Sequence, residues 1–321
     1  MQARLIHLIT SSLPTGSSIN DAIATALDIS YDAAHRRTSG KSKLSLEESV
    51  QLASYFNCSL DVLKEDGLNN IVAMRKTQQI KTPADLEDYF NTSSISVASL
   101  TSLKDVTLYY SAKDIPIFHT LAGNLLTRFK IYVWLRLLSS SEKRISFEAY
   151  KIPLSVIEAA KKLGNLYTGI PKTEIWDTTT FNSTLKQILF YYQAGMLTPE
   201  TASSLCKHLS DLLQNIATDV NDKNGDLNIY HNELLLMNNT VLIDTPHKKA
   251  FYVPFTFLSY FETSDVQTCD QAHAYISEQL QQSKFLNTAG EREQHIFFKK
   301  IQDKIDALAQ LISASDTLGF E

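Results

Sequence analysis

The segment from residue 18 to residue 63 constrains the fold most strongly, because its apolar spacing predicts short helices joined by tight turns. A small residue, Ala24, stands where the first two of these helices must nearly touch. Three apolar side chains are expected to fill the wedge between them, namely Leu27, Ile29 and Ala34. The pattern therefore predicts two crossing helices within a small amino-terminal domain.

The second helix of this pair is predicted over residues 31–39 and begins with a side-chain cap. The hydroxyl of Ser30 is placed to accept a hydrogen bond from a free backbone N–H of the first turn. Helical spacing turns four side chains away from the core, namely Tyr31, Asp32, His35 and Arg36. In a helix-turn-helix, the outward face of the second helix enters the DNA major groove. The local pattern therefore favours contact with double-stranded DNA.

Three further short helices are predicted around this pair, which completes a five-helix domain. Ser45 and Glu48 have the spacing of a capping box, in which each side chain bonds a free backbone N–H. Ser59 is a further candidate cap. The side chains expected to face the core are Leu5, Leu8, Ile9 and Leu13 in the first helix, Leu46, Val50, Ala53 and Phe56 in the fourth, and Leu60 and Leu63 in the fifth.

These residues resemble the λ-repressor/Cro-like helix-turn-helix domain. The resemblance is carried by the runs Ile29–Arg37, Gly40, Leu44–Glu48, Tyr55–Asn57 and Ser59–Asp61. More narrowly, the chain is similar to bacterial regulators that join such a domain to a long carboxy-terminal region. That similarity is carried by the segments Tyr110–His119 and Phe261–Asp265. One position departs from the pattern, because Asp28 stands in the turn where the family usually has glycine. Aspartate tolerates the left-handed conformation better than most residues, so the turn is expected to form.

The resemblance implies a one-component transcription regulator that binds an operator as a homodimer. The positions that match base-contacting positions of the family are Ser30, Tyr31, Asp32, His35 and Arg36. Those expected to contact phosphates are Arg37, Lys41 and Lys43. Within the first set, Arg36 is suited to a guanine edge, and Asp32 to a cytosine amino group or to orienting Arg36. The alternative is a protein-interaction or ligand-sensing adaptor that does not bind DNA.

The charge balance sets a condition on DNA binding. The whole chain has a net charge of −5, and residues 1–63 carry five Lys and Arg against six Asp and Glu. Four cations nevertheless lie close together at the predicted second helix and just beyond it, namely Arg36, Arg37, Lys41 and Lys43. Sequence-independent affinity scales with the number of phosphates that are neutralised. One copy is therefore expected to bind weakly, and two copies on a two-fold site tightly.

The length of 321 residues has room for two domains. The helix-turn-helix domain is expected over 1–66, a connector over 67–82 and a larger domain over 83–321. We expect a mainly helical α+β fold, in which the larger domain carries a small antiparallel β-sheet and supplies dimerisation. A small molecule or a protein is the expected signal for this larger domain.

In the larger domain, apolar residues mostly recur at helical spacing, and short segments in which apolar and polar residues alternate interrupt this pattern. After a helix that begins at the cap Thr82, the predicted helices are 118–138, 153–167, 177–194, 199–220, 265–285 and 290–313. The predicted strands are 106–111, 228–237, 240–245 and 249–254. The last helix carries a heptad seam of Phe298, Ile301, Ile305, Leu308 and Ile312. This seam is either a dimer interface or the inner face of an ordinary helix.

One polar stretch has part of the spacing of an EF-hand calcium loop. Its candidate ligands are Asp222, Asn224, Asp226, Asn228 and Glu233. The sixth position of such a loop needs glycine for a left-handed turn, but this chain has Leu227, which costs about 1–2 kcal/mol in that conformation. The competing interpretation is a polar turn between a helix and a strand.

The sequence offers little support for an enzyme. It has no glycine-rich phosphate loop and no nucleophile elbow, and its histidines are scattered. Asp114 and His119 are one candidate acid–base pair, but the favoured interpretation is that Asp114 starts a turn and His119 opens the next helix. Three separated cysteines, Cys58, Cys206 and Cys269, predict free thiols in a reducing cytoplasm. We expect no catalysis, no cofactor and no membrane span.

Overall fold

The computed structural model describes residues 1–14, 16–56, 58–63, 72–138, 144–222, 225–234 and 238–318. Over these residues the chain is mostly helical, as the helical spacing of its apolar residues predicts. It divides into two compact units, Met1–Ala73 and Met74–Glu321, and each is described by itself. Among the described residues, none of the helices has both the length and the apolar character that a membrane crossing needs.

In the part of the first unit that the structure describes, there are four α-helices and one short 3-10 helix. They are α1 Gln2–Ser12, α2 Ile19–Leu27, α3 Tyr31–Thr38, α4 Leu46–Tyr55 and the 3-10 helix Leu60–Leu63. Their core is one cluster of buried side chains, namely Leu5, Ile9, Ile23, Ala26, Leu27, Ala34, Leu52 and Leu63. The buried Ala34 joins α3 to this core, so the opposite side of α3 is left outward.

Side-chain caps define where these helices begin. The Ser30 hydroxyl accepts the N–H of Ala33 at 3.3 Å, which confirms the predicted start of α3. Ser45 and Glu48 form the predicted capping box at the start of α4. The turn between α2 and α3 depends on Asp28, whose φ of 53° and ψ of 50° are left-handed. The turn thus forms without glycine, at the expense of local strain.

Replacing Asp28 by glycine is expected to stabilise the first unit by about 0.5–1 kcal/mol. Left-handed backbone costs an ordinary residue about 1–2 kcal/mol, and the greater flexibility of glycine in the unfolded chain cancels part of the gain. Asp28→Val, which cannot adopt this conformation without strain, is the opposite variant. Thermal unfolding of both variants checks the sign: a glycine variant that melts below the wild type contradicts this account of the turn.

The inward face of α4 differs from the prediction. Leu46 and Val50 are 73% and 48% exposed, whereas Leu52 and Ala53 are buried. At 3.6 residues per turn, Leu46 and Val50 lie on the flank of the apolar stripe that is farther from Leu52. The stripe is wider than the contact with the core, and spacing alone did not show which side of it would be buried.

The second unit is built on a sheet that is larger than the predicted small antiparallel one. Its strands are β1 Arg75–Lys76, β2 Thr107–Ala112, β3 Lys172–Trp176, β4 Leu227–His231, β5 Thr240–Asp244, β6 Lys249–Thr256, β7 Ser259–Thr263 and β8 Lys284–Phe285. In the described residues the order is β1-β7-β6-β5-β2-β3-β4-β8. Strands β2, β3 and β4 are parallel to each other, and the remaining pairs are antiparallel.

The prediction of a small antiparallel sheet was therefore wrong, and β3 explains why. All five residues of β3 are buried, but three of them are Lys172, Thr173 and Glu174, so the segment shows neither alternation nor an apolar run. Without β3, the strand predicted at 228–237 has only its sequence neighbours, 240–245 and 249–254, as partners, whereas the observed strand β4 ends at His231. It lies instead beside β3, because parallel neighbours are brought together by helical crossovers.

Helices cover both faces of this sheet. They are α5 Pro83–Thr101, α6 Leu125–Leu138, α7 Leu154–Thr168, α8 Asn182–Gln193, α9 Pro199–Asn221, α10 Val266–Gln281 and α11 Glu291–Leu318. Side chains from all of these except α10 share the main core with alternate residues of β2, β3 and β4. On the opposite face, α10 packs through Cys269 and Ile276 against Ile175 and Leu242.

Three helix predictions for this unit need correction. The helix predicted over 265–285 ends at Gln281, and residues 284–285 form β8. The helix predicted from 118 begins only at Leu125, because Gly123 has a φ of 78° and the Asn124 side chain accepts the N–H of Thr127. A 3-10 helix, Ile117–Thr120, precedes this break. The helix predicted from 177 begins at Asn182. Gly123 and the capping residue Asn124 thus separate the 3-10 helix from α6, although the apolar spacing continues across both.

The heptad seam of α11 lies inside the unit. Ile301, Ile305, Leu308 and Ile312 are at most 8% exposed within a single chain. They belong to the same buried cluster as the inner face of α9. The structure therefore favours the inner face of an ordinary helix over a dimer interface at this seam.

The second unit begins earlier in the chain than 83. Strand β1, Arg75–Lys76, lies within the predicted connector 67–82 and pairs with β7 at the edge of the sheet. A strand of two residues has too little pattern to be recognised in a sequence. Residues 67–71 of the connector lie outside the described residues.

Candidate functional site

The outward face of α3 carries all five predicted base-contacting residues in exposed positions. They are Ser30, Tyr31, Asp32, His35 and Arg36. Tyr31 is 51% exposed, and its hydroxyl accepts a hydrogen bond from Asn20 at 3.2 Å. Asn20 also accepts from Thr38 at 2.6 Å, so one α2 side chain binds both ends of the exposed helix. The face is therefore both accessible and held in place.

Arg37 behaves differently from its neighbour Arg36. Its Nε and Nη2 donate to one carboxylate oxygen of Glu48 at 3.0 and 2.5 Å, and Nη1 donates to the carbonyl of Ala33. The hydrogen bond from Arg37 lowers the pKa of Glu48 below its ordinary value, against the effect of burial. The pair joins α3 to α4. The guanidinium of Arg37, which was predicted to contact phosphate, is instead bound to groups within the protein.

Three cations near α3 are exposed, namely Arg36, Lys41 and Lys43. In the described part of the chain, none of their side chains forms a hydrogen bond or an ion pair. They remain available to a polyanion, and they are the cations on which any phosphate contact by this region depends.

No pattern in the sequence indicates which residue holds the loop after α3. The Gln2 amide donates to the carbonyls of Arg37 and Ser42, both at 2.8 Å, and its oxygen accepts the N–H of Leu44 at 3.1 Å. A glutamine in the first turn of a helix is too common to attract notice. It connects α1 to the loop that carries Lys41 and Lys43, which limits where these two ammonium groups lie.

A second polar group, centred on Glu174, lies inside the second unit. We call His119, Tyr167, Glu174 and Trp176 the Glu174 cluster. Nε2 of His119 lies 2.9 and 3.0 Å from the two oxygens of the fully buried Glu174. The Tyr167 hydroxyl and Trp176 Nε1 donate to the same carboxylate at 2.7 and 2.8 Å. An ionised carboxylate only accepts, so Nε2 of His119 carries a proton.

The ionisation of the cluster follows from these contacts. Burial raises the pKa of Glu174. The nearby His119 and the three hydrogen bonds lower it by more than burial raises it, so the pKa lies below its ordinary value. Burial, together with the adjacent Glu174, raises the pKa of Tyr167 well above its ordinary value. The cluster therefore holds one buried anion and one neutral phenol.

The predicted acid–base pair of Asp114 and His119 is not formed. Asp114 lies 3.9 Å from the buried ammonium of Lys130, and its backbone N–H donates to Asn239. His119 is bound to Glu174 instead. The turn after β2 directs the two side chains to different partners, although they are close in sequence.

A cavity of about 500 Å³ lies beside the Glu174 cluster. Its lining includes His119 and Tyr167, the buried Lys172 and the exposed Asp219, Asp222 and Asp226. Pockets for small ligands commonly enclose about 300–1,000 Å³. The size of this cavity is therefore suited to a small molecule.

The candidate calcium loop is placed across the end of α9 and strand β4. Asp222 follows α9, Asn228 lies within β4, and Glu233 is exposed beyond the strand, while Asn224 lies outside the described residues. Five extended residues span about 13 Å, which carries Glu233 away from Asp226. Within the described residues, no three His, Cys, Asp or Glu side chains are placed to share a metal ion. The stretch thus has the path of a turn between a helix and a strand.

Comparison of the chain with family models, with curated proteins and with solved structures gives no match. The resemblance to λ-repressor-like regulators therefore remains a prediction from the sequence. Function is therefore inferred from the chemistry of the exposed face of α3 and of the Glu174 cluster.

Proposed function

We propose that this chain is a one-component transcription regulator that binds double-stranded DNA through α3. The observation that carries the proposal is the exposed face of a capped helix on which the Arg36 guanidinium has no partner among the described residues. Its neighbour Arg37 is bound to Glu48, which supports the orientation of the helix. A surface with one free guanidinium beside aromatic and polar groups suits the edges of base pairs.

The roles of the side chains follow from their positions along α3. Ser30, Tyr31 and Asp32 lie at the start of the helix, where helix-turn-helix proteins concentrate base contacts. Arg36, one turn later, reaches a guanine through two parallel hydrogen bonds, a contact worth about 1–3 kcal/mol in discrimination. Asp32 accepts from a cytosine amino group or orients Arg36. Lys41 and Lys43 contact phosphates, with Arg37 as a positioning residue.

A homodimer is part of the proposal because one copy brings few cations to DNA. The first unit offers Arg36, Lys41 and Lys43 near α3, and few neutralised phosphates give weak binding. Two copies on a two-fold site double this number and fix the spacing of the half-sites. Such a regulator acts in the cytoplasm, where free thiols such as Cys206 and Cys269 stay reduced.

The test is a titration of the purified full chain against genomic fragments, beginning with the region upstream of its own gene. We expect selective retention of fragments whose half-sites are separated by about 10 base pairs or a multiple of that. A complex of two chains per site is expected from its mass in solution. If no fragment is selected even at low salt, the proposal fails and the adaptor alternative takes its place.

A further inference from the structure

The loop that joins α3 to α4 turns every second residue outward. Lys41 and Lys43 are exposed, whereas Ser42 and Leu44 are half-buried. The N–H of Ser42 donates to a carbonyl of α3 at 2.9 Å, and the N–H of Leu44 donates to a side chain of α1 at 3.1 Å. The inward residues thus hold the loop against the first unit, and the outward residues are both lysines.

The backbone N–H groups of the two lysines are available to an acceptor outside the protein. Neither the N–H of Lys41 nor that of Lys43 forms a hydrogen bond with any residue that the structure describes. In protein–DNA complexes, backbone N–H groups and lysine side chains both donate to phosphate oxygens. Each lysine therefore offers two kinds of donor to a phosphate, one from its backbone and one from its ammonium group.

One amide side chain holds the inner side of this loop. Nε2 of Gln2 donates to the carbonyls of Arg37 and Ser42, both at 2.8 Å, and Oε1 accepts the N–H of Leu44. A primary amide has two donor hydrogens, and both are used by carbonyls, one before and one between the two lysines. The third hydrogen bond lies just after them. Gln2 therefore binds the backbone along the whole length of the loop.

These three hydrogen bonds tie the loop to a distant part of the chain. Within the described residues, the other hydrogen bonds of residues 39–43 go to carbonyls of α3, and Leu44 packs against the core. Gly40, which precedes the lysines, has a φ of 74° and open space where a side chain would lie. Packing therefore does little to fix the loop at this point. A loop that must be ordered on binding loses affinity.

We propose that Gln2 is a positioning residue for phosphate binding, because its amide holds residues 39–44 so that Lys41 and Lys43 reach the DNA backbone together. Gln2 acts through the loop and not by contact with DNA. The loop is already ordered in the free protein, so little order has to be gained when the duplex binds. The inference rests on the proposed function and adds to it a residue of α1, outside the pair of helices α2 and α3.

The experiment is an anisotropy titration of the full chain, as wild type and as Gln2→Met, over about 50–300 mM salt on the selected operator and on a duplex of unrelated sequence. Methionine has a similar length and removes all three hydrogen bonds. The slope of log affinity against log salt reports the number of neutralised phosphates, at about 0.9 for each. We expect Gln2→Met to bind both duplexes about tenfold more weakly at about 100 mM salt, with a slope smaller by about one to two. An unchanged slope overturns the proposal.

A second set of variants separates positioning from a structural role. In a background of Lys41→Gln with Lys43→Gln, we expect Gln2→Met to have no further effect, because the lysines through which it acts are absent. A purely structural role would weaken binding equally in both backgrounds, and that result contradicts the proposal. Gln51→Met is the matched control, since the Gln51 amide donates to the carbonyl of Ala26 at 2.9 Å, away from the loop. It is expected to leave affinity and slope unchanged, and a control that behaves as Gln2→Met does is equally contrary to the proposal.

Thermal unfolding shows whether each variant is folded at the assay temperature. Gln2→Asn, whose side chain is too short to reach all three backbone groups, is the milder variant and is expected to shift affinity and slope in the same direction. If no operator is selected but the Gln2 variants lower the slope on the unrelated duplex, the proposed function fails and this inference stands. If an operator is selected and the slope does not change, the inference alone fails. Absence of binding to either duplex overturns both.

Discussion

Replacing Glu174 by leucine is expected to destabilise the second unit by about 3–5 kcal/mol, the usual effect of removing one partner from a buried charged network. The carboxylate accepts from His119, Tyr167 and Trp176 in a site with no exposed surface. Leucine would leave three donors without an acceptor, and each unsatisfied buried group costs about 1–3 kcal/mol.

Urea unfolding, followed by tryptophan fluorescence, measures this effect in the full chain. Both tryptophans of the chain, Trp134 and Trp176, lie in the second unit, so the signal reports that unit. Glu158→Gln, on the exposed side of α7, is the control and is expected to change stability by less than about 0.5 kcal/mol. A loss below about 1 kcal/mol in Glu174→Leu would mean that the cluster contributes little to the fold.

The same cluster predicts how stability depends on pH. The pKa of Glu174 is lower in the folded state than in the unfolded chain, so its contribution is present above the ordinary glutamate pKa of about 4.3. The contribution is lost as the pH falls through the folded pKa. We expect acidification to narrow the difference in stability between the wild type and Glu174→Gln. Parallel pH curves for the two proteins contradict this assignment of the buried charge.

Local signals account for what the sequence predicts correctly. Ser30, Ser45 and Glu48 bond backbone groups within three residues, so the caps of α3 and α4 are visible in the sequence itself. The predicted cap of α5, at Thr82, is of the same kind. These predictions need no knowledge of tertiary structure.

Long-range contacts account for what the sequence does not predict. His119 stood out as a candidate, but its partner Glu174 is 55 residues away and lies in a strand whose polar residues hide its burial. The pairing of Arg37 with Glu48 and the hydrogen bonds of Gln2 likewise join segments that are separate in sequence. Which of two adjacent arginines is free is decided by packing, and no pattern in the chain distinguishes them.

Replacing Arg36 by alanine is expected to abolish most of the selective binding to DNA while leaving the fold unchanged. Its side chain is exposed, so the loss falls on the DNA complex, at about 1–3 kcal/mol for each half-site. Arg4→Ala is the matched control, because it removes the same charge from the same unit on α1, where Arg4 bonds the carbonyl of Leu63. Arg37→Ala is expected to act through the stability of the first unit instead.

The most direct measurement of the central claim is an anisotropy titration of wild type, Arg4→Ala and Arg36→Ala on a selected operator. The operator is used in two forms, with guanine and with 7-deazaguanine, which lacks the N7 acceptor of a major-groove contact. We expect the wild type to lose affinity on the modified operator and Arg36→Ala to bind both forms equally weakly. If Arg36→Ala and Arg4→Ala bind alike, and both still distinguish the two operators, α3 does not read DNA through Arg36 and the account is contradicted.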